Sequence, residues 1–448
     1  MTLLIRNASY VVRDPEHVER DWDVLIEGNK ITRIGPDLVA PEDATTIDAA
    51  GCTIIPGLIN AHTHLYQNFL KAVPKDLPLE PWCNEVLFPS IAVLREEFKA
   101  GNSRPAYLWS ALASIEMIRG GTTLCLNMDI ASEEVLHAWQ DLGMRGSLGV
   151  VLTNVGIPVG LRKEEEQLRE DVMHFINTWH QPAGRIQIAL APSAAFLCDD
   201  ALLCWTANQA EANELGVQIH VAETQDEVDE AMRERGVHPV EWLDEAGLVN
   251  SRLSAVHCVH VGQAEIERLS QAGALVVHCP KSNMKLADGI APINDILASG
   301  VPVSLGSDGC ASNDLLDMWE EMRAAVFIAR VSTGRADALT AADAFRMATI
   351  EGAQVCRVNA GRIEAGRLAD LAIVDLSRAH IRPFHDLINA LVFCARADDV
   401  RDTIIDGQIV MRNREMISAK ESELLEELDD IKDGLRANRD KFKFDVNL

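Results

Sequence analysis

The sequence predicts an α/β protein: a (β/α)8 TIM-like barrel with a small β-sandwich domain formed by its N- and C-terminal flanks. Three observations carry this. Short apolar runs alternate with amphipathic segments eight times over about 300 residues, the count that closes such a barrel. Both ends of the chain read instead as short β-like runs split by Gly, Asn and Asp. With 448 residues, 48% of them hydrophobic, there is material for one large core and a smaller one. An open doubly wound sheet would alternate as well, but it usually stops at fewer strands.

Residues 1–56 hold LLIRNASYVV, DVLIEGNKITRIG and TIDAAGCTIIPG, the first part of the sandwich. The barrel occupies 57–357. Its strand candidates are 58–65, 122–129, 146–154, 185–193, 218–223, 255–261, 274–282 and 301–308. Between them SEEVLHAWQDLG, EEEQLREDVMHFINTW, DDALLCWTANQAEANELG, TQDEVDEAMRERG and AEIERLSQAG place apolar residues at helical spacing. Segment 358–415 returns to the β pattern in DLAIVDL and DTIIDGQIVM. Neither flank is long enough for a core of its own, so pairing the two buries both. A helical tail, 416–448, sets Leu424, Leu425, Leu428, Ile431 and Leu435 on one face, for a subunit contact or for packing on its own domain.

Charge narrows the function. Forty-one Lys and Arg against 68 Asp and Glu leave a net charge of −27, which repels phosphate backbones and anionic lipid. No nucleic acid or membrane partner is therefore expected. No apolar run approaches the ~18 residues of a membrane span, and the opening MTLLIRNASYVVRD lacks a signal-peptide core. Ten cysteines show no CxxC pair, in a chain too large to need disulfide staples. The expectation is a cytoplasmic enzyme acting on a small molecule, with a homo-oligomer as its assembly.

The chemistry-bearing residues cluster at strand ends. His62 and His64 end the first barrel strand, and strand alternation points both imidazoles the same way. His220 and Glu223 end the fifth strand, His257 the sixth, and Asp308 the eighth. Barrel enzymes place their chemistry at those ends. Three histidines and an aspartate converging from strands one, five and eight suit a divalent cation, without which their burial would be costly.

With these residues in place, the sequence resembles the amidohydrolase superfamily, in its cytosine-deaminase-like branch of aminohydrolases. PGLINAHTHL is similar to the strand-one signature of that family. HVAETQDEV, HCVHV, HCPKSNMKLADGIAP and LGSDGCASNDLLDMWEEMR are similar to those of strands five to eight. GRIEAGRLADLAIVD resembles the return to the small β domain. The resemblance implies that His62, His64, His220 and Asp308 bind one divalent metal, zinc or iron(II), with zinc first. It implies catalytic roles for Glu223, His257 and Asp308. Strand four ends in ALAPSAAF, without the lysine that bridges two metals in binuclear relatives. A metal lowers the pKa of water from about 15.7 toward 7. Asp308 would accept the attacking water's proton, Glu223 would protonate the ring nitrogen, and His257 would hold the incoming oxygen as ammonia leaves.

For substrate contacts the sequence offers Gln67, Trp82, Ser193 and Ser312. Gln67 suits a heterocycle edge or a solvent-facing loop, and Trp82 an aromatic wall or loop packing. Ser312 suits the pocket or a helix cap. Lys281 and Asn283 follow strand seven within reach of a polar contact, and His260 and His278 read as supporting or packing groups. DLPLEPWCNEVLFP resembles the first loop of thioadenosine and adenosylhomocysteine deaminases. Those relatives, however, carry a ribose-gripping glutamate where this chain has Ser90-Ile91, and a histidine where it has Ser193. The expectation is therefore deamination of a small nitrogen heterocycle, of oxopurine, pterin or triazine type. The alternatives are a thioadenosine/adenosylhomocysteine-type deaminase and a chlorotriazine-type hydrolase.

Overall fold

The computed structural model describes residues 2–130 and 132–446. All eight apolar runs form strands: Leu58–His64, Thr122–Asp129, Arg145–Leu152, Ile186–Pro192, Val217–Val221, Leu253–His257, Leu275–His278 and an eighth divided into Val303–Leu305 and Asp308–Gly309. Each pairs in parallel with the next. The ring closes where Asp308 and Gly309 pair with Thr63 and His64 of the first strand. Strand one is buried on every residue, as a parallel strand covered on both faces must be.

The helices between follow from their own sequences. Gln225–Arg235 starts at Thr224, whose hydroxyl accepts the Glu227 amide, and stops at Gly236, which takes the left-handed φ of 74°. Gln263–Ala272 ends in the same way at Gly273. Ser132–Leu142 and Glu165–Trp179 lie where the amphipathic runs place them.

The flanks meet in one continuous nine-stranded sheet. Leu371–Asp375 pairs antiparallel with Cys52–Pro56, joining the two ends of the chain. Along that strand Leu371 and Ile373 enter a cluster with Leu3, Ile5 and Ile54, while Ala372 and Val374 face the barrel core. Period-two alternation thus lets one sheet serve two cores. A buried ion pair fixes the junction: Arg145 donates to Asp370 (Nε to Oδ2, 2.6 Å) and to Asp406 (2.7 Å).

The C-terminal helix, Glu421–Arg439, packs on its own domain, against Phe88–Lys99 and Arg104–Arg119. Leu428, Ile431 and Leu435 join Tyr66 and Trp109 in a common cluster, and Arg104 pairs with Glu427. Beyond the helix, Phe442, Phe444 and Val446 pack on the cluster that contains Trp82, and Asn84 exchanges two hydrogen bonds with the Val446 backbone. The tail therefore backs the loop that follows strand one. No helix among the described residues is long and apolar enough to cross a membrane.

Candidate active site

Three imidazoles and one carboxylate meet at the C-terminal rim of the barrel. His62 and His64 come from strand one, His220 from strand five and Asp308 from strand eight. The three histidines present nitrogens that lie within 4.8 Å of one another. Asp308 Oδ1 is 3.4 Å from His62 Nε2 and 3.2 Å from His64 Nε2, and the Nε2 atoms of His62 and His220 are 3.3 Å apart.

The opposite ring nitrogens set the tautomers. His64 Nδ1 donates to the Met128 carbonyl (2.7 Å), His220 Nδ1 to the Ser193 carbonyl (2.6 Å), and His62 Nδ1 to Gln218 Oε1 (2.8 Å). Carbonyl oxygens only accept, so the proton sits on Nδ1 and each Nε2 lone pair faces the centre. Lone pairs and a carboxylate this close repel unless a positive charge lies among them. The donor set of imidazole nitrogens and carboxylate oxygen fits a divalent metal. Asp308 is fixed for that position through Oδ2, which accepts from Ser282 (2.6 Å) and Ser312 (2.7 Å).

Beside this centre lie Glu223 and His257, with Glu223 Oε1 3.5 Å from His257 Nε2. Burial, and then the charges of Asp288, Asp308 and Glu227, push the Glu223 carboxyl well above its ordinary range, which favours its protonated form. Burial lowers His257 to about 4, leaving it neutral, and its Nδ1 bonds to Asn283 Oδ1 at 2.8 Å. Both oxygens of Glu227 take backbone amides, those of Ala222 and Glu223, and so hold the turn that aims Glu223. His257 and Asp308 adopt left-handed φ angles of 69° and 59°. Such strain costs about 1–3 kcal/mol in a non-glycine residue and gathers at functional positions.

A cavity of about 710 Å³ opens from this point. Every substrate-contact residue expected from the sequence lines it, namely Gln67, Trp82, Ser193 and Ser312, as do Glu223, His257 and Asp308. Gln67 and Trp82 are buried, so the solvent-loop alternative for Gln67 does not hold. The Gln67 amide lies against Gly309, where a Cβ would fall 1.8 Å from its Oε1, so a side chain at 309 would displace that amide. Ser312 both lines the cavity and donates to Asp308. Ser193 uses its hydroxyl with Thr153 (2.8 Å) and its carbonyl to hold His220. Lys281 turns away to pair with Glu320. His278 is fully buried, and neither ring nitrogen has a hydrogen-bond partner among the described residues.

Sequence reasoning missed Gln218, Ser282, Glu227 and Asp288. Gln218 was findable: it is a polar residue inside an apolar strand, two positions before His220 and so on the same side. Ser282 lies in the short helix Pro280–Lys285 and meets Asp308 from 26 positions away. Glu227 lies in the first turn of its helix and bonds back to the preceding amides, and Asp288 follows the Pro280–Lys285 helix, so none of the three stands out by strand periodicity.

A parallel barrel that gathers a donor set fitting a divalent cation beside a glutamate whose carboxyl is pushed toward its protonated form has the makings of a hydrolase. The chain belongs to the amidohydrolase family, which it matches over residues 53–410. It is 37% identical over 431 residues to the 5-methylthioadenosine/S-adenosylhomocysteine deaminase of Pelotomaculum thermopropionicum, covering 95% of this chain and 96% of that protein. It is also 37% identical to the 5'-deoxyadenosine deaminase of Methanothermobacter thermautotrophicus, over 94% of this chain and 97% of that one. The zinc-bound structure of an adenosine deaminase from Xanthomonas campestris superposes with a TM-score of 0.90 at 32% identity, covering 97% of this chain and 98% of that chain. The protein is a deaminating hydrolase of carbon–nitrogen bonds in cyclic amidines.

Proposed function

We propose that the protein deaminates a 5'-modified adenosine, with 5'-deoxyadenosine, methylthioadenosine and adenosylhomocysteine as the substrate class. The cavity carries this reading. Its volume of about 710 Å³ is well beyond one heterocycle and lies in the upper part of the roughly 300–1,000 Å³ range of pockets for larger ligands. Leu87, Ile91, Leu94 and Phe175 form an apolar part of its wall, beside Arg95, Lys163 and Asp171, and that apolar part is suited to a deoxy or alkylthio substituent. Relatives named for the same substrates support the choice. This replaces the small heterocycle favoured by the sequence. Missing grips at Ser90-Ile91 and Ser193 removed contacts but did not reduce the space.

Zinc is the metal we assign, because the donors suit it and because the similar adenosine deaminase structure holds it. Bound by His62, His64, His220 and Asp308, it would supply water acidic enough to act as hydroxide near neutral pH. The chain's own groups do the rest. Asp308, ionised and braced by two serines, takes the proton of the attacking water. Glu223 gives its proton to the ring nitrogen next to the reacting carbon, relieving charge on the ring. Neutral His257, oriented by Asn283, hydrogen-bonds the incoming oxygen. Asp308 then passes the water's proton to the exocyclic amine, which leaves as ammonia as the C–N bond breaks. The hydroxyl proton on the reacting carbon returns to Glu223 as the carbonyl forms. The unpartnered Oε1 of Gln67 accepts from a substrate donor.

A second reading, deamination of a free base, rests on Ser90, whose hydroxyl is turned to the Val86 carbonyl (2.7 Å) and grips nothing in the cavity. Ammonia release separates the two. The panel is 5'-deoxyadenosine, methylthioadenosine, adenosylhomocysteine, adenosine, guanine, 8-oxoguanine, isoxanthopterin and aminotriazines, with chloride release from chlorotriazines alongside. Preference for a 5'-modified adenosine, abolished by chelation and restored by zinc, is the expected result. Preference for a base or triazine overturns the proposal.

A further inference from the structure

We infer that Asp288 is the specificity-determining residue that accepts the ribose hydroxyls of the nucleoside, an inference that rests on the adenosine-type reading above. Asp288 lies on the turn after the short helix Pro280–Lys285 and lines the same cavity as Glu223 and Asp308. Its backbone is held from both sides. The amide donates to the Asn283 carbonyl (3.0 Å), and its own carbonyl accepts from His260 Nε2 (2.7 Å). The side chain is not held. It is 8% exposed, and Oδ2 is buried with no hydrogen-bond partner among the described residues.

A buried carboxylate oxygen without a donor is costly, so a donor is expected from the ligand. The cations on the cavity wall are already engaged, Arg95 with the Gly160 carbonyl and Lys163 with Asp171. Of the other buried carboxylates there, Glu223 is the acid beside the metal centre, and the rest are engaged. Asp129 takes the Tyr66 amide, Glu227 two backbone amides, and Asp308 two serines. An adenine nucleoside carries donors in two places, the amine at the reacting carbon and the sugar hydroxyls. The amine is the leaving group at the metal centre, which leaves the hydroxyls for Asp288. In the first loop Ser90 is spent on Val86 and Ile91 is apolar, while Gln67, whose Oε1 is also unpartnered, lies against Gly309 next to Asp308, at the metal centre where the leaving amine sits.

The test compares kcat/KM of metal-replete wild-type enzyme, Asp288→Ala and Asp288→Asn on 5'-deoxyadenosine, its 2'-deoxy and 3'-deoxy counterparts, and adenine. In the wild type, removing the contacted hydroxyl lowers kcat/KM by about 10- to 150-fold, mainly through KM, the worth of a hydrogen bond to a charged group. Asp288→Ala loses a similar factor on 5'-deoxyadenosine and then becomes indifferent to that hydroxyl. Asp288→Asn, which keeps an acceptor of the same shape, recovers part of the loss. Unchanged zinc content and melting temperature show that the variants fold. If Asp288→Ala loses the same factor with and without the hydroxyl, this inference fails while the proposed function stands. If wild type turns over adenine or another base but none of the nucleosides, the proposed function falls and takes this inference with it.

Discussion

Replacing Glu223 with glutamine tests the proposed chemistry most directly. The amide keeps the shape of the carboxyl and its contact distance to His257, and none of the metal-facing atoms belongs to it. What it loses is the proton that burial, Asp288, Asp308 and Glu227 together keep on the carboxyl. Positioned general acids contribute about 10²–10⁴-fold, so the expected fall in kcat is of that size, about 2.7–5.4 kcal/mol of barrier. Ammonia release under saturating 5'-deoxyadenosine gives kcat, and elemental analysis gives zinc per chain. The expected result is one zinc with turnover lower by two to four orders of magnitude. In the wild type, activity should also be lost as pH rises through the elevated Glu223 pKa, because only the protonated form can donate. A variant that retains zinc and turns over within threefold of the wild type would refute the assignment.

Three further outcomes follow from the structure. Gly309→Ala keeps an allowed backbone (φ −81°) but drives a methyl into the Gln67 amide, so KM should rise with zinc content unchanged; an unaltered KM would remove Gln67 from the substrate wall. Asp370→Ala leaves the buried Arg145 guanidinium with Asp406 and the Gly184 carbonyl alone, and urea unfolding should show a loss of about 1.5–3 kcal/mol, the worth of a hydrogen bond to a charged group. Burial raises Glu321 to about 8, so the folded chain holds a proton that the unfolded chain releases above about 4.5. Native stability therefore falls as pH rises from about 4.5 to 8 through this group. Glu321→Gln should accordingly stabilise more at pH 8.5 than at pH 5, and an equal effect at both would contradict the burial argument.

Much of this architecture was legible along the chain. The strand runs at 58–65 and 122–129 announced themselves by length and apolar content, and the HxH pair by period two, because both depend only on neighbouring backbone geometry. The same holds for the helix Gln225–Arg235, which lies within the amphipathic run TQDEVDEAMRERG, because helical spacing is a local property. The six residues assigned to metal and catalysis also lie at strand ends, so naming the strands nearly named them. What stayed hidden were partners brought in by closure of the ring. Gln218 meets His62 across 156 positions, and Ser282 reaches Asp308 from another turn.

By itself, then, the sequence pointed to the barrel, to the pairing of the flanks into one small β domain, and to the residue types gathered at the strand ends, all products of local periodicity and residue type. Tertiary structure alone decided the volume of the cavity, the bracing of Asp308 and the unpartnered oxygen of Asp288. Those depend on which distant side chains fill the space around a residue, as Trp82, Phe88 and the tail residue Phe444 do together in one cluster. Spacing along the chain carries no record of that. For the same reason, two absent grips suggested a small substrate where packing had left room for a larger one.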